Sequence, residues 1–92
     1  MKIRIAFGLD LTIHDLTLED HERKIRRVAE EIEKFYAADL DAPTGWTLKT
    51  VNATAVLEVT FPSGRQPRDL HVFGCFLPRF DIYRWINISK EG

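Results

Sequence analysis

The sequence predicts an α+β fold, a two-layer sandwich with one helix packed on a mostly antiparallel four-stranded sheet, in the order β-α-β-β-β. Three observations lead there. Residues 2–14 alternate apolar and polar with a period of two. Residues 18–39 change to a period near 3.6. From residue 46 onward the period of two returns in β-branched and aromatic stretches broken by turn residues. Alternation at two marks a strand with one dry face, and a 3.6 repeat marks an amphipathic helix.

In the first strand Ile3, Ile5, Phe7, Leu9, Leu11 and Ile13 share one side. The stretch is longer than most strands, so a bend or bulge is expected near Gly8, where a missing side chain permits it. The helix stripe is Leu18, Ile25, Val28, Ala29, Ile32, Phe35 and Tyr36, with His21 or Glu22 at its rim. Thr17 can cap this helix, and Asp20 stands at the third helical position, where a carboxylate favours the positive helix end. Opposite charges four apart, such as Glu22 and Arg26, describe a solvated outer face. Pro43-Thr44-Gly45 turns the chain into an extended stretch whose frame shifts near Val51-Asn52, giving one bent strand or two short ones. Pro62-Ser63-Gly64-Arg65 is a hairpin signal. A return strand is expected over 69–76, a break over 77–79, and a last strand or short helix over 80–88, with β-branched enrichment favouring the strand.

A chain of 92 residues has room for one domain, spanning 1–92. It is 45% hydrophobic and 29% charged, which excludes disorder. The formal net charge of −1 provides no global basic field for nucleic acid or anionic lipid. No run approaches the roughly 18 apolar residues of a membrane span. The N-terminal stretch has no continuous apolar segment of the secretory kind, and the lone Cys75 excludes an internal disulfide framework. The cytoplasm is therefore the expected location, and the two formal glycosylation sequons at Asn52 and Asn87 are chance matches.

Catalytic chemistry finds no footing. His71 and Cys75 are four apart on an expected strand, so about 13 Å separates their Cα atoms and they cannot share a metal ion. His14 and His21 span a strand-to-helix turn that fixes no ligand geometry. The stretch AFGLDLT lacks the paired aspartates of a phosphoryl-transfer nucleophile loop, with Gly8 at the nucleophile's place. No nucleophile, base and orienting acid can be assembled around Ser63, Ser89 or Cys75. Asp10, Asp15, Glu19 and Asp20 gather near the first strand-to-helix junction, where acids cap helices. No catalytic residue, metal or cofactor is expected.

What stands out is the stretch DLHVFGCFLPRFDIYRWINI, which barely alternates. Its second row places Phe73, Tyr83 and Trp85 on the face away from the helix, with Arg79 and Arg84 at the rim. Exposed aromatics with arginine are the composition of interaction hot spots. The expected function is a non-enzymatic protein–protein interaction module acting through Phe73, Arg79, Tyr83, Arg84 and Trp85. It would be either a homodimerising accessory protein or a small inhibitor of a larger complex, of the kind phages direct against host defence. The rival is single-stranded nucleic-acid binding on the same aromatics. Residues 17–42 carry a net −3 and residues 43–92 a net +2, which leaves little charge for that rival.

Overall fold

A computed structural model describes residues 2–12, 16–37, 42–62 and 83–91. Four strands and one helix follow in the order β1 (Lys2–Leu9), α1 (Leu18–Tyr36), β2 (Gly45–Val51), β3 (Thr54–Thr60) and β4 (Tyr83–Glu91). The strands form one antiparallel sheet in the spatial order β2-β3-β1-β4. This is the α+β architecture the periodicities called for.

β1 lies between two partners, Ile5 opposite Leu57 of β3 and Ile88 of β4. Its alternation is what a half-buried strand needs: Ile3, Ile5 and Phe7 are fully buried, with Leu9 nearly so. Ala55, Leu57 and Val59 of β3 complete the sheet's dry face, and Phe61 follows them. α1 covers that face with Ile25, Val28, Ala29 and Ile32. The frame shift at residues 51–52 resolves into two strands joined by a two-residue turn, Asn52-Ala53. Asn52 has φ 55, a left-handed conformation that asparagine tolerates better than most residues.

α1 begins with the expected capping box. The Thr17 hydroxyl accepts from Asp20 N at 3.1 Å, and the Asp20 carboxylate accepts from Thr17 N at 2.9 Å. Arg26 reaches Glu22 at 3.8 Å across one turn, and Arg23 reaches Asp20 at 3.4 Å. Trp46 of β2 donates its indole N–H to Glu33, tying the helix to the sheet's outer strand.

The expectations need four adjustments. β1 ends at Leu9, because Asp10 turns the chain by accepting from both Thr12 N at 3.0 Å and Thr12 Oγ1 at 2.5 Å. Leu11 is consequently exposed instead of core. His21, expected at the stripe's rim, is fully buried. At 100° per residue it falls about 30° from the centre of the Ile25–Ile32 stripe, whereas Phe35 lies about 70° away and is exposed. The last element is a strand, Tyr83–Glu91, which runs three residues past the expected end at 88; residues 80–82 of the expected span lie outside the described residues. The expected hairpin loop at 62–65 and the strand at 69–76 fall largely or wholly outside the described residues.

Thr17→Ala removes the helix cap and should lower stability by about 1 kcal/mol in urea denaturation. Hydrogen bonds from Thr17 also hold the Asp20 carboxyl below its ordinary value of 3.8. A depressed carboxylate stabilises the fold above that ordinary value and ceases to do so as pH falls through its folded one. Acid titration followed by circular dichroism should therefore show a stability loss beginning near pH 4, and Asp20→Asn should flatten it.

Candidate functional site

The antiparallel register places side chains of the sheet's outer face in rows. Val51, Thr54, Gly8 and Trp85 form the row at one end. Lys49, Val56, Ala6 and Asn87 form the next, followed by Thr47, Glu58, Arg4 and Ser89. Gly45, Thr60 and Lys2 close the opposite end. The two central strands carry small residues through the first two rows, so the face is hollowed there. A depression of about 280 Å3 is lined by Arg4, Lys49, Val51, Thr54, Val56 and Glu58.

Trp85 depends on Gly8. A Cβ added to Gly8 would stand inside the indole, 2.5 Å from Cε2. Absence of a side chain on β1 is what lets the ring lie flat across the neighbouring strand. The ring is held there yet remains 48% exposed.

β4 carries an irregularity at this point. Gly8 pairs with Trp85, but Leu9 pairs with Tyr83, so Arg84 is an extra residue on β4. One inserted residue reverses the alternation. Tyr83 therefore turns to the helix side, 6% exposed, with its ring 5.0 Å from Phe7 and 6.1 Å from His21. This corrects the expectation that Tyr83 shares the outer face with Trp85. Arg84 is exposed beside Trp85, and Asp10 feels its charge. Phe73 and Arg79 lie outside the described residues. Of the five expected contact residues, the structure brings Arg84 and Trp85 together at the start of β4 and removes Tyr83 to the core.

Exposed apolar residues gather at this end. Five large hydrophobics are exposed among the described residues: Leu11, Leu18, Phe35, Val51 and Trp85. Val51 and Trp85 share the end row, Leu11 follows β1 out of it, and Leu18 opens α1 one turn before His21. Phe35 alone belongs to the far end of the helix. Val51 is exposed because it stands on the sheet face away from the helix, opposite in alternation to Trp46, Leu48 and Thr50.

The same end holds two buried polar groups. Among the described residues, neither ring nitrogen of His21 nor the Tyr83 hydroxyl has a hydrogen-bond partner. Such atoms cost about 1–3 kcal/mol each when buried. Burial pushes the Tyr83 phenol up to about 12. The Asp10 carboxyl sits below its ordinary value chiefly through its Thr12 hydrogen bonds. No group of three His, Cys, Asp or Glu residues that could hold a metal occurs among the described residues. No described helix is long and apolar enough to cross a membrane.

No family model matches this chain, and no curated protein or solved structure matches it at a significant level.

Gly8→Ala should unseat the indole. In a Trp46→Phe background, Trp85 fluorescence should then shift red and become more accessible to quencher. An unchanged spectrum would contradict the packing of Trp85 on Gly8. Tyr83→Phe removes a hydroxyl that has no partner and should leave chemical stability unchanged or raised. A phenol whose folded value is raised stabilises the fold fully below pH 10 and less as pH climbs toward 12. The wild type should accordingly lose stability across that window, and Tyr83→Phe should lose less.

Proposed function

We propose that this domain is a non-enzymatic protein–protein interaction module that works through the end of the sheet at Trp85, with Arg84 beside it. The observation carrying this reading is the state of Trp85: half exposed, yet seated on Gly8 and fixed in place. Contact residues that are already ordered lose little entropy on binding, and tryptophan and arginine dominate interface energetics. Leu11, Val51 and Leu18 add exposed apolar surface at the same end.

Two further points support contact over chemistry. His21 is fully buried and out of a substrate's reach. The Asp10 carboxylate is committed to Thr12. Nucleic-acid stacking relied on several aromatics in one plane; with Tyr83 in the core, Trp85 is the one described aromatic on the outer face. A single cysteine fits a reducing compartment such as the cytoplasm. An accessory subunit and a small inhibitor of a larger complex are both compatible forms of such a module.

The test pairs Trp85→Ala with light scattering over a concentration series. The variant should keep the wild-type circular dichroism and melt within a few degrees of it, because half of the ring is already in water. A wild-type dimer that Trp85→Ala dissolves would make the face self-complementary, and a strict monomer would assign it to a different protein. A variant that no longer folds would place Trp85 among the core residues and end this reading.

A further inference from the structure

We infer that the outer face receives the same face of a second copy of this chain, about a two-fold axis that runs along the strands between β1 and β3. The inference rests on the interaction reading above and names the partner. The pairing register carries it. Such an axis keeps each row of the face at its own height and reverses its order, so β2 of one copy faces β4 of the other, and β3 faces β1. Every position on the face then has a defined opposite.

The opposites match. In the end row Trp85 faces the partner's Val51, and Val51 faces the partner's Trp85. These are the two large apolar residues this face exposes, Val51 by 67% and Trp85 by 48%. Gly8, under the indole, faces the partner's Thr54, so no bulky group stands against the ring. In the next row Val56 faces the partner's Ala6, and Lys49 faces the partner's Asn87. In the third, Glu58 faces the partner's Arg4, and in the last Lys2 faces the partner's Thr60. Arg4 and Lys2 already lie 3.7 and 4.0 Å from Glu58 of their own chain. The match needs neither cation to be unpaired, only that like charges do not meet, and across this axis none do.

The same register selects this axis over the other one that brings the faces together. A two-fold across the strands keeps each strand over itself and reverses the rows. It would set Glu58 against the partner's Val56 and Lys2 against the partner's Gly8, covering charges with apolar surface. An axis along the strands also suits two twisted sheets, which pack face to face within about 30° of alignment. Four strands about 4.8 Å apart and four rows about 6.8 Å apart give a footprint of roughly 500 Å2 per copy. The pair then buries about 1,000 Å2, the lower bound for a specific interface, so the dimer is reversible and depends on concentration.

The experiment is sedimentation equilibrium of the whole chain from micromolar to millimolar concentration, with a charge swap that reads the axis. Lys49 and Asn87 are exposed and stand on the two edge strands of the sheet, out of each other's reach within one chain. The two-fold brings them together twice per dimer. Asn87→Lys should weaken the dimer about tenfold, and Asn87→Lys combined with Lys49→Glu should restore it. Val51→Asp should abolish it, with the circular dichroism of each variant unchanged. A strict monomer at every concentration would overturn the inference and leave the Trp85 face to a different protein. A dimer lost in Trp85→Ala but not restored by the double variant would keep the interface and overturn this axis. A dimer indifferent to both Trp85→Ala and Val51→Asp would overturn the inference and the interaction reading together.

Discussion

The fold depends on β1 being paired along both edges. A strand with neighbours on each side has all its backbone groups committed, so its side chains are left to define two faces. Its odd-numbered residues are large and apolar, and α1 must cover them. Its even-numbered residues are Lys2, Arg4, Ala6 and Gly8, which descend from charged to no side chain at all. That gradient makes the outer face charged at one end and hollow at the other. The candidate site is a consequence of what β1 does not carry.

The bulge at Arg84 follows from the same strand. With regular pairing past Trp85, Arg84 would point into the apolar layer and Tyr83 into water. An unpaired guanidinium in that layer costs far more than an unpaired phenol hydroxyl. One extra residue on β4 exchanges the two, so the arginine stays in water and the tyrosine ring packs on Phe7. The Tyr83 hydroxyl turned inward this way, like the His21 ring beside it, has no hydrogen-bond partner among the described residues. The Trp85 end of the domain thus also carries buried polar groups unsatisfied among the described residues.

The opposite end is tied together by side-chain contacts. There Tyr36 meets Phe61 edge to face at 5.4 Å, and Glu33 takes the indole N–H of Trp46.

The elements themselves were legible in the residues. Periods of two and 3.6 set the strands and the helix, Thr17 and Asp20 announced the cap, and Gly8 marked the place where regular pairing fails. Those are local properties, governed by backbone geometry and by neighbours within a turn or two. The exposure of Trp85 was also readable, since its row sits opposite Ile86 and Ile88. Tertiary structure alone decided the rest. It chose which strand edges meet, and so which residues of β2 and β3 join Trp85 on one face. It turned Tyr83 inward through an insertion that alternation cannot register, because a period of two carries no information about a skipped pairing. It buried His21 by setting the angle at which the helix stripe meets the sheet. Burial and register are properties of pairs of elements, and a single strand's pattern holds only one member of each pair.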